Sequence, residues 1–234
     1  MLDLQTWPGK AWHLTIASTF AGEKGRVISM SDSSLDTQTV SAVLSHVVNN
    51  FDVWKLNFDD QERPRRAAGI LGHHLNREMD NPKHVTGLFP CTDRVVTEAF
   101  FNSDELREKM RESGVIGEPR IDWVETIRFN AIWDRQLPAA LIVHNVDEFD
   151  TWLERYDAAD DLRVRSGILG HAANRSLDDP SLVIVYHQAE TFKELRDFLT
   201  SGELTTLMKE AGVKAPPDIT YHLGDYGTRY GDDI

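Results

Sequence analysis

The sequence repeats itself, and this repeat limits the possible folds more than any other feature. The segment GILGHHLNREMDNP at residues 69–82 returns as GILGHAANRSLDDP at residues 167–180, a shift of 98 positions. Compared without gaps, residues 43–122 and 141–220 are identical at 27 of 80 positions. Unrelated segments of this length do not match so closely, so we infer that one structural unit has been duplicated in tandem.

Each copy predicts the element order β-α-β-β-α-β. A β-rich run comes first, at residues 41–48 and 139–146, and a helix with an aromatic stripe begins near Phe51 and Phe149. A glycine-led strand, a turn with Asn/Asp-Pro chemistry and another strand follow. Short helices and a last strand after a proline complete the unit. This order is the split-βαβ arrangement of ferredoxin-like units.

The residues at the predicted helix ends agree with this order. Short polar side chains favour N-caps because they accept a hydrogen bond from the first turn, and glycine favours the left-handed conformation that ends a helix. The predicted caps are Asn49 or Asn50, Asp147, Ser103 and Ser201 at N-termini, and Gly114 and Gly212 at C-termini.

A four-stranded sheet with helices on one side leaves its second apolar face uncovered. Two fused copies can cover that face by packing sheet to sheet. We therefore predict an α+β fold with two tandem ferredoxin-like βαββαβ units at residues 41–130 and 138–228, paired within the chain. Residues 127–139 are predicted to be a connector or strand extension. Residues 1–40 are predicted to be an N-terminal extension with a β-hairpin.

Composition and charge exclude several classes of partner. The formal net charge of −13 argues against nucleic acid and anionic membrane surfaces. The apolar runs are shorter than the ~20 residues that span a bilayer. The single cysteine, Cys91, cannot form an intrachain disulfide, and the first residues lack the blocks of a signal peptide. We therefore expect a cytoplasmic protein.

The order of motifs resembles that of a known superfamily. HVVNNFDVW and HNVDEFDTW each lead into a helix, and each is followed by a G-x-x-G strand, an N-R-x-x-D-[DN]-P turn and S-x-E-L-x-x-x-M-x-x-[AS]-G-V. Over residues 41–128 and 139–226 the chain resembles the dimeric α/β-barrel superfamily, including the antibiotic-biosynthesis-monooxygenase-like (ABM-like) domains. The resemblance implies an intramolecular dimeric α/β barrel. It also implies activities that range from cofactor-independent monooxygenases and cyclases to haem-degrading enzymes.

We predict neither a cofactor nor a metal site. By the same resemblance, haem-degrading members use a histidine on a helix, and no histidine falls in either predicted long helix. His73 and His74 are adjacent in a strand, so their side chains point to opposite faces and cannot easily share a metal ion.

His46 and His144 are the candidate catalytic residues. Each lies near the end of the first strand of its copy, just before a helix begins. A neutral imidazole there could act as general base on an acidic phenol or enol. The alternative is a structural histidine that bonds to the backbone or to a helix cap.

Further residues are candidates for the wall of a ligand site. The candidate ligand-binding residues are Trp54, Trp152, His73, His171, Arg77, Arg175, Trp123 and Tyr221. For the aromatic residues the alternative is core packing. The histidine and arginine pairs could bind an anionic oxygen, or they could lie at the surface of an edge strand. Asn76 and Asn174 alternate to the other face and are predicted to organise the following turn.

The resemblance and these residues predict a small-molecule-binding protein of the cofactor-independent monooxygenase or cyclase-like type. Its ligand would be apolar, aromatic or polyketide-like and would lie between sheet and helices; a second copy of the chain is the other partner considered. The alternative is a non-enzymatic structural or stress-response binding module, so the sequence leaves open whether the chain is an enzyme. An apolar pocket that His46 or His144 faces would favour the first interpretation, and a pocket filled by Trp54 and Trp152 the second.

Overall fold

The computed structural model describes residues 39–230, and the hairpin predicted within residues 1–40 lies outside the described residues. The first half consists of β1 (Thr39–Val48), α1 (Phe51–Asp60), α2 (Glu62–Ala67), β2 (Gly72–Glu78), β3 (His84–Pro90), α3 (Arg94–Phe101), α4 (Asp104–Glu112) and β4 (Val115–Asn130). The second half consists of β5 (Pro138–Asn145), α5 (Phe149–Ala158), α6 (Asp160–Arg165), β6 (Ile168–Ser176), β7 (Leu182–Ala189), α7 (Phe192–Leu199), α8 (Gly202–Glu210) and β8 (Asp218–Arg229). Within this range, no helix is both long and apolar enough to cross a membrane.

The strands close into one antiparallel barrel in the order β1-β3-β2-β8-β5-β7-β6-β4. Each half contributes four neighbouring strands, and the halves join along two seams, β2 with β8 and β4 with β6. The edges of each sheet are therefore paired with those of the other, so none of these strands presents a free edge. The α+β fold and the intramolecular barrel are confirmed: the two inner faces enclose the barrel interior and the helices cover the outside.

The apolar core lies in three places. In each half, one cluster fills the space between the outer sheet face and the helices, around Trp54 in the first half and Trp152 in the second. A smaller cluster around Val43, Val124 and Ile184 lies inside the barrel. Alternate residues of each strand thus face two different environments, and the outer environment contains the larger cores.

The barrel interior is partly polar, and two asparagines explain why. Asn76 accepts a hydrogen bond from the Tyr186 hydroxyl at 2.9 Å, and Asn174 accepts one from Thr126 Oγ1 at 2.8 Å. Both asparagines are buried. The prediction that they organise a turn is wrong, because the face to which they alternate is the inside of a closed barrel. There Asn76 bonds to Tyr186 of the non-adjacent strand β7, and Asn174 bonds to Thr126 of the neighbouring strand β4.

The repeated GILG motif has a separate reason for each glycine. Gly69 and Gly167 have φ values of +77° and +80°, a left-handed conformation that favours glycine. At Gly72 an added Cβ would lie 2.4 Å from the Thr228 carbonyl oxygen, across the β2–β8 seam. At Gly170 it would lie 2.4 Å from Gln188 Oε1. The motif therefore combines a turn into the strand with a close approach, which is to β8 across the seam for Gly72 and to the β7 side chain Gln188 for Gly170.

Most of the predicted helix caps are confirmed. Asn50, Ser103 and Ser201 each accept a hydrogen bond from a backbone N–H three residues later, at 3.1, 3.2 and 3.2 Å. The predicted cap at Asp147 is wrong, because the N-cap of α5 is Glu148, whose side chain makes no capping hydrogen bond. A short polar side chain one residue too early cannot reach the first turn.

The predicted connector is partly strand. Its first residues, 127–130, belong to β4, which begins at Val115 and runs through Pro119, earlier than predicted. Residues 131–137 then cross to β5 outside any helix or strand. The backbone N–H of Gly227 donates to the Trp133 carbonyl at 2.9 Å, so β8 holds this crossing in place.

A candidate ligand-binding cavity in the first half

A cavity of about 180 Å³ lies between the outer sheet face and the helices of the first half. Its inner wall is apolar and aromatic, and polar side chains from α1, α2 and α4 lie among the helix-side residues. The lining residues are Leu44, His46, Trp54, Asn57, Phe58, Asp60, Gln61, Arg65, Leu75, Val85, Gly87, Phe89, Phe100, Phe101, Leu106, Lys109, Met110 and Ser113. This is the shape expected of a small-molecule site: mostly apolar, with a few polar groups.

Among the buried polar residues that line this cavity, His46 is the one whose ring nitrogens have no hydrogen-bond partner within the described residues. It is 6% exposed and packs edge-on against Trp54, with ring centroids 5.3 Å apart. Neither ring nitrogen has a hydrogen-bond partner among the described residues. Burial, and to a lesser extent the charge of His84, lowers the pKa of His46 to about 4, so the ring is neutral at pH 7. The structural alternative, a bond to backbone or to a helix cap, is not made within the described range.

Aromatic rings from α1 form the wall beside His46. Trp54 stacks on Phe58 with centroids 5.0 Å apart, and Trp54 is 4% exposed. The Arg65 guanidinium lies over the other side of this wall, 3.8 Å from the centre of the Phe58 ring. A cation placed on an aromatic face is stabilised by the ring quadrupole, and more so when it is desolvated. The wall therefore includes a guanidinium, that of Arg65, packed on the Phe58 ring.

Arg65 is held from the far end of the described chain. Its Nε donates to the Tyr230 hydroxyl at 2.7 Å, and that hydroxyl lies 2.9 Å from Nδ1 of His73. Burial and nearby positive charge, first that of Arg65, lower the pKa of His73 to about 3. His73 is therefore neutral, and its Nδ1 can accept a hydrogen bond from the Tyr230 hydroxyl. These three residues fix the back of the aromatic wall.

Replacing Tyr230 with Phe should destabilise the protein by about 1–3 kcal/mol, because the buried Nε of Arg65 then loses its acceptor. Urea unfolding at pH 7 measures this change. Tyr221→Phe is the matched control, since the Tyr221 hydroxyl makes no hydrogen bond within the described residues, and we expect a change within about 0.5 kcal/mol. Equal values for the two variants would contradict the assigned role of Tyr230.

The equivalent cavity of the second half is much smaller, about 60 Å³. His144 lines it, 5.9 Å from Trp152 between ring centroids, and burial lowers the pKa of His144 to about 4. As with His46, neither ring nitrogen of His144 has a partner within the described range. Bulkier residues occupy this wall: Val185 stands at the position of Gly87 in the repeat. The two halves thus share the histidine–tryptophan pair and differ in available space.

His187 is a second buried histidine in the smaller cavity. It is 5% exposed, and neither of its ring nitrogens has a partner among the described residues. Burial and the neighbouring charge of Arg163 lower its pKa well below the usual value. Phe89 occupies this position in the first half, so sequence comparison of the two copies gives no sign of a retained role.

Two aromatic candidates do not line either helix-side cavity. Trp123 packs against Phe101 and lies under the guanidinium of Arg94, 5.1 Å from it. Tyr221 lies under the guanidinium of Arg196 at 5.4 Å. Both residues are on the outer face of the last strand of their half, but beside the cavity rather than in its wall.

In each predicted histidine–arginine pair, the two side chains contact different partners and do not form one anion-binding site. The Arg77 guanidinium lies 4.1 Å from the centre of the Phe51 ring, while His73 bonds to Tyr230. In the second half Arg175 packs on Phe149, and Nδ1 of His171 lies 2.7 Å from a tyrosine hydroxyl. An exposed position on an edge strand is wrong for His73, because His73 is 4% exposed and β2 lies between β3 and β8.

Sequence reasoning missed Arg65 and its counterpart Arg163. Both are buried, at 4% and 3% exposure, and both pack on the ring that follows the tryptophan in the helical stripe. Both copies have arginine at this position, and this identity could have indicated a shared role. The polar residues Gln61 and Lys109 differ between copies and carried no such signal.

Within residues 39–230 the histidines all lie on strands, and no three histidine, cysteine or acidic side chains converge as metal ligands would. The helices that cover the first-half cavity, α1, α2 and α4, carry no histidine.

The barrel is similar to several solved structures. An anthrone oxidase-like protein is 11% identical, with a TM-score of 0.61 over 85% of this chain and 96% of its own. A candidate monooxygenase from Lactobacillus acidophilus is 10% identical, with a TM-score of 0.58 over 83% of this chain and 97% of its own. A candidate chlorite dismutase is 11% identical, with a TM-score of 0.53 over 81% and 95%.

These likenesses define the class of fold. No protein-family model matches the sequence, and no curated protein matches it closely enough to count as a relative. At identities near one in ten the structural likeness concerns the fold alone. The chain therefore has a ferredoxin-like α/β-barrel fold in common with these structures, and the function must be argued from the cavity.

Proposed function

We propose that the protein binds an apolar small molecule with one aromatic ring in the first-half cavity, and that His46 hydrogen-bonds to its hydroxyl group. The observation that carries this proposal is the buried ring of His46, which packs on Trp54 and whose two nitrogens have no hydrogen-bond partner among the described residues. Leaving a buried polar group unpaired costs about 1–3 kcal/mol, and a ligand hydroxyl removes that cost. The ring itself replaces water against Trp54 and Phe58.

The volume supports a single ring rather than a larger polyketide-like ligand. A dry cavity of about 150 Å³ with aliphatic and aromatic walls is large enough for benzene. The first-half cavity, at about 180 Å³, is slightly larger. A neighbouring recess of about 310 Å³ shares Gln61, Phe100 and Leu106 with it. A substituent on the ring can therefore extend between α2 and α4 towards that recess.

His46 can also take the proton of such a ligand. The neutral imidazole accepts a hydrogen bond from a phenol or enol, and it takes the proton only from a hydroxyl acidic enough to become an anion, which gives an imidazolium and a phenolate or enolate next to each other. Burial disfavours an isolated imidazolium, so only a ligand that becomes an anion stabilises the charged ring. The resulting anion has an electron-rich carbon, the starting point of monooxygenase-like or cyclase-like chemistry. The likeness to monooxygenase-like and anthrone oxidase-like folds supports this reaction class.

The small size of the second-half cavity supports a structural role for that half. About 60 Å³ is too small for an aromatic ring, and Trp152, Tyr156 and Val185 occupy the wall. This half corresponds to the alternative in which the repeat stabilises the barrel without binding. We therefore assign ligand binding to the first half.

Calorimetric titration with phenol and with benzene tests the proposal. Replacing His46 with Leu should weaken phenol binding about tenfold, the loss of one hydrogen bond, and leave benzene binding nearly unchanged. The matched control is His144→Leu, which should alter neither affinity. Equal loss of phenol binding in both variants, or no loss in either, would contradict the assignment to His46.

A further inference from the structure

A separate chamber of about 50 Å³ lies inside the barrel, on the opposite side of the sheet from the helix-side cavities. Its polar lining includes His74, Asn76, Trp133 and Tyr186, with Leu88 and Phe129 among its apolar residues. His74 has no counterpart in the second copy, where the equivalent residue is Ala172. Neither the repeat nor the proposed function accounts for this set of polar groups.

A chain of hydrogen bonds determines where His74 carries its proton. The Tyr186 hydroxyl donates to Asn76 Oδ1 at 2.9 Å, which leaves the Asn76 amide nitrogen as a donor. That nitrogen lies 3.1 Å from Nδ1 of His74, so Nδ1 accepts. A neutral imidazole has one N–H, which must then be on Nε2. His74 is 4% exposed, and burial keeps it neutral by lowering its pKa to about 4.

Two N–H donors in this chamber have no acceptor among the described residues. One is Nε2 of His74 and the other is Nε1 of Trp133, and both atoms are buried. The two rings meet edge to face with centroids 5.5 Å apart. Indole nitrogen can only donate, and Nε2 of His74 is a donor by the argument above. An occupant must therefore be a hydrogen-bond acceptor.

Trp133 is held firmly in position. The neighbouring residue, Ile132, exchanges two hydrogen bonds with the side chain of Gln188, at 2.7 and 3.0 Å. On the other side the backbone of Gly227 packs directly on the indole, where an added Cβ would lie 2.2 Å from the ring. The Trp133 ring, which lines the chamber, is therefore fixed by the chain's own packing, and a ligand does not have to order it.

We propose that the chamber binds one small hydrogen-bond acceptor, either a water molecule or a halide ion, between His74 and Trp133. Such a volume holds one or two species of the size of water. Two opposite charges lie near these rings: the Arg229 guanidinium is 5.4 Å from the centre of the Trp133 ring, and Asp225 acts on the charge of His74. These charges do not select between a neutral and an anionic acceptor. Water and halide ions both accept hydrogen bonds from the two N–H donors, and the experiment below distinguishes them.

Proton–nitrogen correlation spectra of the tryptophan indoles test this site. Trp133→Phe removes one indole signal and thereby assigns it, and Trp123, on the outer face, provides the control signal. Sodium bromide is titrated against sodium sulfate at matched ionic strength. A saturable bromide-dependent shift of the Trp133 signal, weakened about tenfold in His74→Leu, identifies a halide. A cross-peak from the Trp133 N–H to a bound water, without a bromide shift, identifies water.

The absence of both a bromide shift and a water cross-peak in the wild-type protein would overturn the proposal. The wild-type spectra decide this by themselves, so the conclusion stands even when His74→Leu does not fold. An equal bromide shift of the Trp123 and Trp133 signals would also overturn it, because it would show a general salt effect.

Discussion

Lowering the pH from 7 to 5 should destabilise the protein steeply, because most of its histidines are buried in neutral form. Burial lowers the pKa of these side chains, to about 3 or 4 for six of them and well below the usual value for the seventh. The residues are His46, His73, His74, His144, His171, His187 and His222. The unfolded chain binds protons at these side chains near pH 6.5, whereas the folded chain binds them only at a lower pH, which is about 4 for five of the seven side chains.

The sign of this effect follows from proton binding. Between pH 6.5 and 4 the unfolded state holds more protons, so stability is greatest above pH 6.5 and is lost as the pH falls. Each such histidine contributes up to about 1.4 kcal/mol per pH unit. Summed over several such side chains, this loss is of the order of the total stability of a typical domain. We therefore expect acid unfolding well above the pH at which carboxylates are protonated.

Urea unfolding at a series of pH values measures this slope. The double variant His46→Leu, His144→Leu should have a shallower slope, by up to two protons, because it removes two of the titrating groups. A stability that does not change between pH 6.5 and 5 would show that these histidines are not buried as described.

Replacing Gly72 with Ala should destabilise the barrel by about 2–3 kcal/mol. The new Cβ would lie 2.4 Å from a backbone carbonyl oxygen of β8, so strand β8 must move away at the seam that closes the barrel. Gly202→Ala is the matched control, since an added Cβ there meets no atom within 4 Å and the residue begins α8. We expect that change to lie within about 0.5 kcal/mol.

The free energy of unfolding in urea at pH 7 compares the two glycine variants. The amide signals of β2 and β8 should also shift in Gly72→Ala, since their register is disturbed. If the two variants were equally stable, the close contact of β2 and β8 described at this seam would be incorrect.

Local elements could be predicted from the sequence because their determinants are local. The caps at Ser103 and Ser201 and the left-handed Gly114 and Gly212 each depend on a few neighbouring residues, and all four have the predicted geometry. Because this pattern of strands, helices and caps occurs twice, the sequence also predicted two similar βαββαβ units. The identity of the paired edges could not be predicted, because the β2–β8 and β4–β6 registers depend on strands far apart in the chain.

The site was only partly predictable for the same reason. His46 was selected from its place at a strand end, but its isolation from other polar groups depends on packing by α1 and α4. The partners of Arg65 and Asn76, which are Tyr230 and Tyr186, lie 165 and 110 positions away. Alternation correctly assigned Asn76 to the other face of its strand. That face turned out to be the interior of the barrel, where a turn-forming role has no meaning.

The most direct test of the proposed ligand site is a crystal structure of the protein soaked with 4-bromophenol, whose bromine can be located by anomalous scattering. The account predicts one ring in the first-half cavity against Trp54, with its hydroxyl oxygen within hydrogen-bonding distance of a ring nitrogen of His46. The second-half cavity should be free of the probe. A ring bound elsewhere, or a ring in this cavity with its hydroxyl directed away from His46, would contradict the central claim.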